Sequence, residues 1–189
     1  MEKLIAYIHS LMNFSEESWE ILSPALITME FEKDQYLLQA GKVCNSLFYI
    51  SKGYCRAFYD KDGQEINTSF FFENSIATNI NSFAKEEKSE FSIQACENLT
   101  VVQFDKKKLR EASQLDPAIE MLGRNCLQRI AAKQENDTAI YKLMTAKERY
   151  EYLEKYSPDI LQRVSLTQLS SYLGVARETL SRIRSRRVL

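Results

Sequence analysis

The chain has 189 residues, 44% of them hydrophobic, which is enough to bury a core in one large domain or two small ones. Its 25 basic and 26 acidic residues leave a net charge of −1, which excludes a uniformly basic coat for nucleic acid and shifts attention to where the charge sits. Four cysteines (44, 55, 96, 126) without C-x-x-C spacing, beside a single histidine, His9, cannot assemble a zinc set and read as reduced core residues.

The first segment, "MEKLIAYIHSLMNF", lacks the long apolar core and cleavage site of a signal peptide, and no run approaches the length needed to span a bilayer. The expectation is a soluble cytoplasmic protein. Leu4, Ile5, Ile8, Leu11 and Met12 follow helix spacing, and Ser15 reads as the N-cap of a second helix, "EESWEIL", with Glu16 and Glu17 in its first turn. From about residue 31 to 104 the pattern becomes short β-type runs between turns. "SLFYIS" and "YCRAFY" flank Gly53, Asp62-Gly63 marks a hairpin, and "INTSFFF", "FSIQA" and "LTVVQF" follow. Gly41, Gly53 and Gly63 read as turn formers. Several short strands at regular spacing predict a sandwich or small barrel.

Asp105 caps a short helix, "DKKKLREAS", and Asp116-Pro117 is an N-cap with proline at N1. The helix it starts is predicted over 117–144, about 42 Å at 1.5 Å per residue. Ile119, Leu122, Cys126 and Ile130 form its apolar stripe, resumed by Ile140, Leu143 and Met144. Two readings stand: the stripe pairs with a second copy of the chain, or it buries against its own domain. Three parts follow: a β domain over 1–116, the long helix over 117–144, and a C-terminal helical domain over 145–189.

The helical domain opens with a capping box, Thr145-x-x-Glu148, and Ser157-Pro158 ends that helix. A second box, Ser165-x-x-Gln168, starts a helix with Leu166, Leu169, Tyr172 and Leu173 on its apolar face and Gly174 at its stop. The last sixteen residues hold five arginines and one acid, a net charge of +4, so the preceding residues carry −5. Two short helices joined by a glycine turn, the second of them basic, outline a helix-turn-helix. Arginine can donate two bonds to guanine and glutamate can accept from cytosine, so Arg177, Glu178 and Arg182 in "RETLSR" are the candidate base readers. Arg184, Arg186 and Arg187 suit phosphates, and Thr179 is placed with them. A purely electrostatic binder would gain nothing from Glu178.

"QLSSYLGVARETLSRIR" resembles the helix-turn-helix of the Crp/Fnr transcription regulators, whose recognition helix carries R-E-T-x-(S/G)-R, and "LLQAGKVCNSLFYISKG" is similar to the strand-turn-strand signature of their cyclic-nucleotide-binding-type barrel. The resemblance implies an α+β fold: a jelly-roll barrel, a long dimerisation helix and a C-terminal helix-turn-helix. It implies a homodimer that binds a near-palindromic double-stranded DNA site, with RNA polymerase a further partner if the protein is an activator. Arg177, Glu178 and Arg182 match the family's base-reading positions, and Ser165 and Thr167 its phosphate-contacting ones. The helix from 117 matches the dimerisation helix, which makes Ile119, Leu122, Cys126 and Ile130 the expected dimer contacts.

The chain departs from the family where nucleotide-binding members hold the cyclic phosphate with a Gly-Glu pair and an arginine followed by small residues. In "FFFENSIATNINSFAKEEKSEFSIQA" Glu73 survives as the candidate effector-pocket residue, but no glycine lies between Gly63 and Gly123 and no arginine between Arg56 and Arg110. Lys85 and Lys88 sit among acids and read as a solvated loop. A buried phosphate diester without a guanidinium would be poorly compensated, so the expected effector is not cyclic AMP but another small molecule, or none. No cysteine precedes Cys44, which argues against an iron–sulfur cluster, and His9 is no haem ligand; no cofactor is expected. The sequence ends directly after the basic helix, so a β-hairpin wing is not expected. With one histidine a nucleophile–base pair is hard to assemble, and no G-x-x-x-x-G-K-[ST], G-x-G-x-x-G or G-x-S-x-G motif occurs, so the protein does not read as an enzyme. The alternative reading is a small-molecule sensor whose basic C-terminal helix contacts a protein partner.

Overall fold

In the computed structural model, which describes residues 1–185, side-chain caps set many of the element boundaries. The Ser15 hydroxyl accepts the Ser18 amide at 3.1 Å and separates α1 (Glu2–Leu11) from α2 (Glu16–Leu22). Eight strands follow: β1 (Leu26–Phe31), β2 (Tyr36–Leu38), β3 (Ser46–Lys52), β4 (Cys55–Lys61), β5 (Gln64–Phe71), β6 (Ile76–Ala77), β7 (Ser92–Ala95) and β8 (Leu99–Asp105), with α3 (Ile80–Lys85) between β6 and β7. They form two antiparallel four-stranded sheets, in the orders β1-β8-β3-β6 and β2-β7-β4-β5. This is the predicted jelly-roll sandwich, and the fold is α+β.

The β4–β5 hairpin closes with Lys61 opposite Gln64, so its loop is the pair Asp62-Gly63, at φ 55° and 81°. Both residues take the left-handed conformation that a two-residue turn demands. Gly53, between β3 and β4, is under tighter constraint. Its φ is 85°, and a Cβ there would stand 2.6 Å from the Asn98 carbonyl oxygen. Gly53→Ala is therefore expected to cost about 1–3 kcal/mol, from positive φ plus a backbone clash, read as a lower midpoint in urea unfolding.

Each sheet is covered on both faces. Cys55, Ala57, Ile93 and Ala95 of one sheet meet Phe48, Ile50, Leu99 and Val101 of the other inside the barrel. The outer face of the first sheet carries Leu47, Tyr49, Val102 and Phe104, packed against Leu4 and Ile8 of α1 and against the helices that follow the barrel. The outer face of the second carries Phe70, packed with Tyr54 against the C-terminal helices. Double coverage explains why "YCRAFY" shows no clean alternation: Arg56 and Phe58 on the outside of β4 are as buried as Cys55 and Ala57 on the inside.

After the barrel come α4 (Lys106–Leu115), capped by Asp105, and α5 (Pro117–Leu143), capped by Asp116, whose carboxylate accepts the Ala118 amide at 2.8 Å. Then follow α6 (Ala146–Tyr156), α7 (Pro158–Arg163), α8 (Leu166–Leu173) and α9 (Arg177–Ser185). The capping box of Thr145 and Glu148 is complete. Of the second box, the Ser165 hydroxyl accepts the Gln168 amide at 3.2 Å. Among the described residues no helix is long and apolar enough to cross a membrane.

Two sequence expectations need correction, and the two readings of the α5 stripe can be told apart. The stripe Ile119, Leu122, Cys126 and Ile130, read either as a seam with a second copy or as buried in its own domain, packs with Leu4, Ile8, Phe14 and Leu22 of the same chain. Burial of a leucine or isoleucine is worth about 1.5–3 kcal/mol, and this stripe gains it within its own domain. The loop expected around Lys85 contains α3, capped by Asn79, with Lys85 and Lys88 both exposed. Ser157-Pro158 ends α6 but also starts α7, because proline suits the first turn of a new helix.

Candidate nucleic-acid interface

Leu169 and Leu173 of α8 and Leu180 of α9 are almost fully buried and lock the two helices together. Gly174, at φ 68°, ends α8, and the Val175 amide bonds back to the Ser170 carbonyl at 3.0 Å. This closure satisfies carbonyls at the helix end and sets the direction of α9. With Leu180 and Ile183 turned inward, Arg177, Glu178, Thr179, Arg182 and Arg184 are exposed on α9, and Ser165 and Thr167 are exposed at the start of α8. No ion pair engages these arginines among the described residues. Arg186 and Arg187 lie outside the described residues. The arrangement presents guanidinium groups and one carboxylate to water from a short rigid helix, the chemistry that can address base edges and phosphates.

The other side of α8 is docked on the barrel. The Ser171 hydroxyl donates to the Glu65 carbonyl and accepts the Asn67 amide, each at 3.0 Å. Beneath them the buried Arg56 guanidinium donates to Asn67 (3.1 Å) and Gln94 (2.7 Å) and pairs with Glu65 at 2.6 Å. The Tyr172 ring meets Phe70 edge-on at 5.2 Å, and the Tyr141 hydroxyl of α5 donates to the Tyr172 carbonyl.

Arg163, at the end of α7, makes a second joint. Its guanidinium donates to Glu73 at 2.7 and 3.1 Å and to Glu97 at 2.5 Å. It lies 5.1 Å from the centres of both the Tyr54 and Phe72 rings, which stack on each other at 5.0 Å. The Tyr54 hydroxyl donates to the Arg163 carbonyl at 3.0 Å. Burial, with the neighbouring Cys96 and Glu97, pushes the Tyr54 phenol up to about 12, so it stays a donor. This corrects the expectation for Glu73. Its carboxylate is held by Arg163 and by the Gly53 amide at 2.8 Å, and it joins the barrel to the C-terminal helices rather than facing an effector pocket. Partial burial raises its pKa, but the Arg163 and backbone bonds outweigh it and leave the carboxyl below the usual range.

Arg163 and Arg56 escaped the sequence reading. A single arginine closing "PDILQR" carries no local signal, and the clue to Arg56 was a charge inside an otherwise strand-like apolar run.

The stretch where the resemblance would place a cyclic phosphate is also committed. Asn79 donates to the Ser89 hydroxyl (2.9 Å), the Ser82 hydroxyl accepts the Cys44 amide (2.8 Å) and donates to the Glu87 carbonyl (2.6 Å). These buried polar groups satisfy one another, and a phosphate there would have to break their bonds.

The family model of the cyclic nucleotide-binding domain matches residues 28–116. No curated protein matches the chain. Among solved structures, the chain is similar to the c-di-GMP-responsive global regulator CLP of Xanthomonas campestris, with 14% identity, 91% of each chain covered and a TM-score of 0.71. It is similar to a CooA variant of Carboxydothermus hydrogenoformans, with 17% identity, 92% of this chain and 80% of that one covered, and a TM-score of 0.68. The catabolite activator protein of Thermus thermophilus matches with 15% identity, 92% of this chain and 84% of that one covered, and a TM-score of 0.57. At these identities the likeness shows the fold: a cyclic nucleotide-binding-type jelly roll followed by a long helix. CLP is described as a global regulator and the Thermus protein as a catabolite activator.

Proposed function

We propose that the chain is a cytoplasmic, sequence-specific DNA-binding transcription regulator that acts as a homodimer. Residues 1–116 are its sensor domain, 117–144 its connecting and dimerising helix, and 145–189 its helix-turn-helix. The observation that carries this reading is the exposed set Arg177, Glu178, Arg182 and Arg184 on a short helix anchored by Leu180, in a chain whose net charge is otherwise negative. Arg177, Glu178 and Arg182 read bases; Ser165, Thr167, Thr179, Arg184 and the two following arginines hold phosphates. The effector, where one acts, is not cyclic AMP, and RNA polymerase is a further partner if the protein activates.

The dimer uses a different face of α5 from the buried stripe. Leu127, Ala131 and Thr138 are exposed along one row that the half-buried Gly123 continues; Leu127 is 41% exposed, and a Cβ at Gly123 would meet nothing within 4 Å. Such a row lets a second helix approach closely, and twofold symmetry then sets two copies of α9 about 34 Å apart, one turn of DNA. Leu127→Glu with Ala131→Glu is expected to yield monomers in sedimentation velocity at an unchanged circular-dichroism spectrum. A dimer that persists would place the interface elsewhere.

The test of function is selection of bound duplexes from a random library. Enrichment of a near-palindrome supports the reading; enrichment of no sequence, with binding equal on all duplexes, rejects sequence-specific recognition by this chain.

A further inference from the structure

A cleft of about 520 Å³ opens between the second half of α5, α6 and the end of β5, a volume typical of small-molecule sites. None of residues 79–92 lines it, so it is separate from the committed polar network around α3. Phe72, Tyr141 and Tyr152 contribute rings to its walls, beside polar and charged side chains.

Three cations border it, and two are already engaged. Arg129 donates to the Ser10 hydroxyl and carbonyl, both at 2.9 Å, and Lys133 pairs with Asp137 at 2.9 Å. Arg149 differs. Its guanidinium lies 4.9 Å from the centre of the Tyr141 ring and forms no ion pair among the described residues. Its Nε is buried without a hydrogen-bond partner, the one such side-chain atom among the described residues. A buried donor left unmet is costly, and a guanidinium edge is shaped for a planar two-oxygen acceptor. Acids near the cleft do not fill that role: Asp137 is held by Lys133, and neither it nor Asp159 bonds to Arg149.

We propose that this cleft binds a small aromatic carboxylate, with the carboxylate on Arg149 and the ring among Phe72, Tyr141 and Tyr152. The position also suggests what binding would change. A Cβ at Gly174 would lie 3.8 Å from an Arg149 terminal nitrogen, so the anchoring cation sits beside the turn that aims α9. Tyr172 of α8 lines the same cleft. That regulatory consequence rests on the DNA-binding reading; the binding itself does not.

The experiment is calorimetric titration of the full chain with naphthoate, with its uncharged isostere naphthamide and with inorganic phosphate, in the absence of DNA. Naphthoate is expected to bind saturably, with naphthamide roughly ten-fold weaker or worse, as the loss of a charge-assisted contact predicts. Arg149→Met should erase that difference. Asn136→Trp, which fills the cleft from an exposed position on α5 and leaves Arg149 in place, should block both aromatic ligands at an unchanged melting temperature. The proposal is overturned if naphthoate does not bind, if acid and amide bind alike, if phosphate binds as well as naphthoate, or if naphthoate affinity survives Asn136→Trp. Because no DNA is present, failure of duplex selection leaves this result intact, and failure here leaves the selection intact.

Discussion

Arg163→Ala should loosen the C-terminal helices from the barrel without unfolding either. The arginine joins Glu73 and Glu97 of the barrel to the end of α7 and lies against the stacked Tyr54 and Phe72 rings. Alanine removes that cation and leaves two carboxylates facing each other across the vacated contact. About a quarter of the Arg163 and Glu73 side chains remains open to water, which places the cost below that of a fully buried pair. The expected loss is about 1–3 kcal/mol, roughly 5- to 150-fold faster hydrogen exchange at α8 amides where docking limits exchange. Amides within the β3–β8 ladder should not change. Equal acceleration in both would mean that the substitution weakens the whole fold.

The same joint carries a pH dependence. The Glu73 carboxyl lies below its ordinary range in the docked state, so its contribution is fully present above the usual carboxylate pKa. It is lost as pH falls through the lowered docked-state value. Protection of α8 should therefore drop in acid for the wild type, and Arg163→Ala should flatten that drop. A wild-type profile with no acid limb would remove Glu73 from the account.

Arg177→Ala should lower affinity for the selected duplex by about 1–3 kcal/mol and relax the preference at one base position in each half-site. The residue stands exposed in the first turn of α9, and the helix is fixed behind it by Leu180. Arg177→Lys should recover little, since an ammonium cannot present two parallel donors. Arg184→Ala supplies the contrast. As a phosphate contact it should weaken all sequences alike and reduce the salt slope by about one unit. Fluorescence anisotropy on the selected site and a scrambled one separates the two. An Arg177→Ala effect of equal size on both duplexes would reassign this residue to the phosphates.

What was legible in the sequence was local. Ser15, Asp105, Asp116 and Thr145 announce helix starts because each bonds an amide two or three residues ahead. Asp62-Gly63 and Gly174 announce turns because their backbone angles exclude most other residues. What was not legible depends on partners far along the chain. Periodicity shows that Ile119, Leu122 and Cys126 share an apolar face, but not that α1 of the same chain covers it. Glu73 reads as a pocket residue until its partner appears 90 positions later. Arg56 sits under α8, and a strand residue's outer neighbour has no signature in the strand itself. The short helices α3 and α7 fall below the length at which periodicity speaks.

The two halves of α5 are held unequally. Its first half is gripped through Ile119, Leu122 and Cys126, whereas at its far end Leu143 is 82% exposed. At that end the Tyr141 hydroxyl holds α8 through the Tyr172 carbonyl, so α5 is a lever between the barrel and α8. From Cys126 to Leu143 it reaches about 26 Å, so a tilt of ~5° at the grip moves the tip by ~2 Å. That displacement equals a large fraction of the spacing between adjacent base pairs, about 3.4 Å. If α9 reads DNA as proposed, a barrel change too small to alter its own packing would suffice to bring it into or out of register with a groove.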